Sequence, residues 1–147
     1  MADTLKVKLM RDGARLPFRA SSGAAACDLF AYVDGDMTIA PGEFVRIPTG
    51  IAIELPRTDL VALVFSRSGQ GLRHGVSLVN SVGVIDSDFR GEIEVGIINH
   101  GALPYTVSHG DRIAQLMITN ALPLFFEECA ELSETERGEG GLGSTGR

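Results

Sequence analysis

The sequence predicts an all-β domain of the sandwich, barrel or jelly-roll kind. Three observations carry that prediction. Short apolar segments of four to seven residues recur along the chain. Gly, Pro, Asn and Asp separate them, with 18 glycines and six prolines in 147 residues. No stretch keeps a helical apolar period over three turns. Many short strands with turn signals between them are the signature of an all-β architecture.

The elements follow in order. Leu5, Val7 and Leu9 alternate with Lys6 and Lys8, as a half-buried strand requires. FVRI, GIAIEL and LVALVF come next, and RTDLVALV has room for one short helical turn. VSLV, EIEVGII and RIAQLMI complete the strand series. NSVGVIDSDFRGEIEV, residues 80–95, reads as a hairpin and strand, with Val82, Val84 and Ile85 as buried candidates. There is no internal repeat. Residues 1–126 form the body, and 127–147 are a linker and a glycine-rich arm. A chain of this length fits one domain able to bury roughly 70% of its unfolded surface.

Composition narrows the function. A net charge of −6 argues against general nucleic-acid binding, which needs a basic footprint. A small anion needs only a local arginine cluster or a bridging divalent cation. No apolar run reaches the roughly 20 residues of a membrane span, and MADTLKVKLM lacks the apolar core of a signal peptide. Cys27 and Cys129 lie far apart and outside metal-ligand spacing, as expected of a soluble protein in the reducing cytoplasm. The acidic run EECAELSETE reads as a solvated linker.

Several apparent motifs carry no chemistry. Gly138, Gly140 and Gly143 match GxGxxG, but no helix follows to make a dinucleotide site. DSDFRG imitates a calcium loop, yet Arg90 and Ile97 fall where that loop needs an acceptor and a bidentate Glu. His74, His100 and His109 show no zinc spacing, and Ser66 and Ser68 lack a nucleophile elbow.

Polar residues at strand ends are what remains. In FSRSGQG, Ser66, Arg67, Ser68 and Gly69 end an apolar strand in a strand-to-loop turn. They are an anion grip or a plain tight turn. Asp86 stands where the apolar run of the hairpin stops, a position for a general base or for a turn-forming Asp. AACDLFA sets Asp28 in an apolar context, as a polar site residue or a turn anchor. In GDRIAQLMI, Arg112 and Gln115 have opposite strand parity, so both reach one site only across a bulge. RGEGGLGSTGR combines pliable glycines with Arg137, Ser144, Thr145 and Arg147, donors suited to phosphate.

In this order, the segments resemble the five motifs of the trimeric dUTPases, the dUTP pyrophosphatases. AACDLFA, SRSGQG, GVIDSDFRGEI, GDRIAQL and RGEGGLGSTG look like the first to the fifth. Each is weak alone, and five in sequence over nearly the whole chain are strong. The resemblance implies a jelly-roll-like β-barrel, a homotrimer with its sites at subunit interfaces, and an arm closing over a neighbour's nucleotide. It implies Mg²⁺-assisted hydrolysis of dUTP to dUMP and pyrophosphate, which keeps uracil out of DNA and supplies dUMP for thymidylate synthesis.

Residue roles follow from the same resemblance. Asp86 would be the general base for water attacking the α-phosphorus, and Asp28 would help hold Mg²⁺ through its water shell. Arg67, Ser68, Gly69 and Gln115 would bind phosphate oxygens. Asn80 and the backbone at Gly83 and Ile85 would read uracil, and Phe89 would pack beneath the deoxyribose. Arg137, Ser144 and Thr145 would clamp the terminal phosphates, and Leu142 would cover the base. Three departures stand out: Ser66 for a usual Pro, Phe89 for Tyr, and Leu142 for an aromatic. The last predicts weaker arm closure, with a penalty on the order of tenfold in KM or kcat. Alternatives are a non-catalytic trimeric nucleotide-binding or regulatory protein, and a dCTP deaminase of related fold. Both are disfavoured, the second because the DSDFRG and glycine-arm motifs follow the pyrophosphatase pattern.

Overall fold

The alternating apolar segments do form strands. The computed structural model describes residues 4–141. Among them, eleven strands and one helix occur. A four-stranded antiparallel sheet has the order β2-β11-β6-β8: Cys27–Phe30, Arg112–Asn120, Leu60–Phe65 and Val82–Ile85. A three-stranded sheet joins β4 (Phe44–Pro48), β9 (Glu94–Asn99) and β7 (Val76–Leu78). Two pairs complete the fold: β1 (Lys6–Leu9) with β5 (Ile51–Glu54), and β10 (Tyr105–Val107) with β3 (Met37–Ile39). These separate antiparallel sheets enclose one core in a jelly-roll-like arrangement, without one continuous hydrogen-bonded barrel.

Period-two alternation explains which residues enter that core. In β6, Leu60, Ala62 and Val64 are buried while Val61, Leu63 and Phe65 are only half-buried. Leu29, Ile39, Ile47, Ile51, Ile97 and Ile113 are almost completely enclosed. Each such side chain contributes about 1.5–3 kcal/mol over leaving it in water. The buried polar residues are partnered: Asn99 donates to the carbonyls of Ile39 and Leu103, and Thr49 Oγ1 donates to that of Ile93.

The structure corrects the sequence reading in three places. RTDLVALV contains no helix and supplies β6 instead. The one helix is α1, Ser68–His74, which opens where FSRSGQG suggested a loop turn. Its Gly69 and Gly71 have poor intrinsic propensity. Gly75 stops it at φ +69°, its N–H reaching the carbonyls of Gln70 and Gly71. Val82 and Val84, expected to be buried, are 37% and 65% exposed. They lie on β8, an edge strand, and on the sheet face turned away from this chain's core.

Candidate functional site

Sheet register brings three of the expected residues together. Asp28, Gln115, Phe65 and Val82 form one row across the four-stranded sheet. The β2–β11 register shifts between Arg112 and Ala114. This bulge overturns the simple parity of Arg112 and Gln115, so both reach Asp28. Arg112 Nη1 lies 3.2 Å from Asp28 Oδ2, and Gln115 Nε2 lies 3.4 Å from Oδ1. Arg67 Nε donates to Oδ1 at 3.0 Å. Asp28 itself is 3% exposed. A carboxylate so enclosed is tolerable only with cationic partners, and two guanidinium groups supply them.

The cluster extends outward. Arg67 Nη1 and Gln70 Nε2 both donate to the Arg112 carbonyl, at 3.2 and 2.8 Å. Burial holds the Tyr105 phenol above its usual range, although a hydrogen bond with Gln70 works the other way. Arg67, Gly69, Gln70, Arg73, Tyr105 and Arg112 line a cavity of about 470 Å³. Three arginines against one carboxylate, that of Asp111, leave its lining net positive, as an anion site requires. Arg67 is the extended N-cap of α1 with no side-chain cap bond, so Ser68 and Gly69 open a helix whose first N–H groups have no capping side chain.

The hairpin forms a second, different cavity of about 340 Å³. Asn80, Gly83, Ile85, Asp86 and Phe89 all line it. Gly83 and Ile85 share parity on β8, so their backbone groups point to the same edge. Asn80 stands beside Gly83: a Cβ built on Gly83 would lie 3.8 Å from Asn80 Nδ2 and 3.1 Å from Val64 Cβ. Beyond Asp86 the chain turns, with Phe89 N–H donating to the Asp86 carbonyl at 3.2 Å. The Phe89 ring then lies against Gly91, where an added Cβ would meet its Cζ at 2.5 Å.

The two cavities share no lining residue. Three strand spacings and four residues along β8 separate Asp28 from Asp86 by roughly 20 Å. One chain therefore holds a cationic cavity and a hairpin cavity that do not meet. Arg137 lies apart from both, its Nε donating to the Gly140 carbonyl at 2.8 Å. Leu142, Ser144 and Thr145 lie outside the described residues. Sequence reasoning gave no role to Gln70, although it lies within SRSGQG, or to Tyr105, which carries no motif signal; the fold brings both to the cavity.

Magnesium fits this donor set in one way only. No group of three or more His, Cys, Asp or Glu able to hold a metal occurs among the described residues. Both Asp28 oxygens already accept hydrogen bonds, so at most a lone pair remains for a metal-bound water. That suits an ion carried by phosphates and keeping its own water shell.

Comparison with known proteins gives this arrangement a family. The dUTPase family model matches residues 12–146. A deoxyuridine 5'-triphosphate nucleotidohydrolase of Desulfitobacterium hafniense is 50% identical, covering 98% of each chain. One from Caldanaerobacter subterraneus is 47% identical over 99% of each. Among solved structures, Staphylococcus bacteriophage 80alpha dUTPase with dUPNHPP aligns with a TM-score of 0.90 and 28% identity, over 99% of this chain and 100% of that one. A mutant dUTPase from phage phi11 of S. aureus, described as coordinating a structural Mg(II) ion, aligns at 0.78 and 25% identity, over 88% and 98%. Near-complete coverage at about half identity, together with the two cavities and the five ordered motifs, establishes that this chain belongs to the dUTPase family.

Proposed function

We propose that this dUTP-hydrolysing enzyme works through a composite site, with Asp86 of one copy facing the arginine cluster of another. The separation of about 20 Å between Asp28 and Asp86 carries this reading, because reacting groups must approach to 3–3.5 Å. The outer face of the four-stranded sheet supports it: Leu63, Phe65, Val82, Val84 and Met117 form an apolar surface suited to a second copy. A homotrimer with three interfacial sites accommodates both. The arm, residues 127–147, then closes over a neighbour's site, with Arg137, Ser144 and Thr145 on the terminal phosphates and Leu142 over the base.

Within such a site, the edge of β8 reads uracil. Backbone groups of Gly83 and Ile85 meet the polar edge of the base, with Asn80 beside them. The amino group of cytosine would set donor against donor there, and a 5-methyl group meets a steric limit. Phe89 occupies the space beneath the sugar and leaves none for a 2′-hydroxyl. Arg67, Ser68, Gly69 and Gln115 hold phosphate oxygens, and Asp28 orients Arg67.

The chemistry is one displacement. Asp86 orients a water and accepts its proton as the water oxygen bonds to the α-phosphorus. The α,β-bridging bond breaks, and pyrophosphate leaves with the electron pair. Asp86 acts mainly by placing the water, since a carboxylate is a weak base toward it. Magnesium, when bound, neutralises charge growing toward the leaving pyrophosphate. Asp28 would meet its water shell.

No helix among the described residues is long and apolar enough to cross a membrane. Cys27 and Cys129 are free thiols. We place the enzyme in the cytoplasm, where its substrate forms. Pyrophosphate release with Mg²⁺ from dUTP, run beside dCTP, dTTP and UTP, tests the whole reading. Fast release from dUTP alone is expected. Tight dUTP binding without turnover would instead make the chain a binding protein.

A further inference from the structure

We infer that Glu92 is a positioning residue for Asp86 and Phe89, holding their turn from its far end. The inference rests on the roles of those two residues proposed above. Between β8 and β9 the chain from Asp86 to Ile93 has no strand pairing of its own along its length. Its shape depends on how its two ends are fixed. The near end is Ile85, in register with Ala62 of β6. The far end is Glu92 and Ile93.

That far end is tied down closely. Gly50 N–H donates to Glu92 Oε1 at 2.8 Å, and Arg11 Nη2 donates to Oε2 at 2.9 Å. Ile93 N–H donates to the Ile51 carbonyl, and Thr49 donates to the Ile93 carbonyl through both N–H and Oγ1. The Gly50 donor is fixed in turn. It has φ +73°, and a Cβ there would lie 2.6 Å from Ala14 Cβ and 3.1 Å from the Tyr32 ring. Only glycine fits that backbone and that space. Arg11 is fixed as well: its guanidinium lies 5.3 Å from the Tyr32 ring centroid, and Tyr32 donates to the Asp12 carbonyl. Hydrogen bonding to Glu92 raises the Arg11 pKa further.

Glu92 lines the same cavity as Asp86 and Phe89, yet both its oxygens are already engaged. It is therefore unsuited to act on water and well suited to hold a wall. Its shelter separates it from an ordinary surface pair. The Glu92 side chain is 19% exposed, whereas the Lys6–Glu54 pair is 74% and 44% exposed. Phe89 sits on Gly91, the residue immediately before this anchor. A slack anchor lets that ring shift and opens the space denied to a 2′-hydroxyl.

The test compares dUTP with UTP in the full-length enzyme. Glu92→Ala is expected to lower the ratio of kcat/KM for dUTP over UTP by roughly tenfold, because small misplacements of site groups are costly. Glu92→Gln keeps an acceptor for Gly50 and should fall between. Val107→Ala is the control for stability: it opens a cavity in the core on β10, away from the Glu92–Ile93 anchor, and should lower Tm with the ratio held within about twofold. Arg11→Met provides the same reading if Glu92→Ala fails to fold. An unchanged ratio in Glu92→Gln and Arg11→Met, with Tm reduced as in Val107→Ala, would make Glu92 a staple of the fold and overturn the inference. A wild-type enzyme with no preference for dUTP would instead overturn the sugar filter itself.

Discussion

The two half-sites are built from opposite materials. Around Asp28 the chain gathers side-chain charge: one buried carboxylate, two guanidinium groups and an amide, drawn from β2, β11 and the loop after β6. Around Gly83 it offers the backbone of an edge strand, in a cavity also lined by the Phe89 ring, Arg46 and the carboxylates of Asp86, Glu92 and Glu94. Charge suits a triphosphate, which has no handedness of hydrogen bonding to read. Fixed backbone donors and acceptors suit a base, whose identity lies in their order. Under the proposed assignment, affinity and selectivity have separate structural owners, and each can be damaged alone.

The largest separation of the two should come from Asp86→Asn. Turnover of dUTP is expected to fall by at least about two orders of magnitude, with dUTP affinity retained, as loss of a general base does. Single-turnover kinetics beside equilibrium binding will show it. Turnover near wild type would remove Asp86 from its role. Asp28→Asn acts on the other half. Arg67 and Arg112 lose a charged acceptor, and a charge-assisted hydrogen bond contributes about 1.5–3 kcal/mol. KM for dUTP should rise by more than tenfold, and stability should fall by about 2 kcal/mol, because the stranded guanidinium groups still reach solvent. The preference for dUTP over UTP should survive. A loss of selectivity in Asp28→Asn would break the comparison.

Leu142→Phe tests the arm. Restoring a ring over the base should improve kcat/KM by on the order of tenfold, since base–aromatic stacking contributes about 1–3 kcal/mol. Unaltered dUTP kinetics in that variant would show that the arm does not cover the base as proposed.

How much of this was legible depends on the kind of signal. Arg67, Asp86 and Phe89 stand in short polar or turn-forming strings, Asp28 is the one charge in an apolar run, and such patterns are visible in a single sequence. The strands were legible because burial imposes a period of two. The meeting of Arg112 with Gln115 was not, because one extra residue in a ladder leaves no trace in composition and reverses parity. Helix α1 was hidden by its own glycines, although Gly75, its left-handed C-terminal stop, is a local signal. Val82 and Val84 misled because apolar residues on an edge strand look alike whether they face the chain's own core or away from it. Glu92 had no signal at all. Its partners lie 42 and 81 residues away in sequence.

The smallest effect belongs to the hairpin tip, and it tests whether the base reader is held by its backbone. Ser81 has φ +63°, the left-handed region, between Asn80 and Val82. Val82 N–H donates to the Asn80 carbonyl at 2.7 Å, which fixes the tip that carries Asn80. A non-glycine residue there bears a cost of about 1–2 kcal/mol. Ser81→Gly removes that cost, but it frees the unfolded chain and loses about 0.4–1 kcal/mol by that route. The first effect outweighs the second by about 1 kcal/mol, so Tm should rise by about 2–4 °C while KM for dUTP moves by less than about twofold. Ser81→Val keeps the strain and adds a β-branched side chain, a poor occupant of positive φ. It should cost more than about 1 kcal/mol and raise KM for dUTP as Asn80 moves, with the rate of the chemical step held at Asp86. A fall in that rate with KM unmoved would mean that the tip serves the Asp86 end of the hairpin instead of the base.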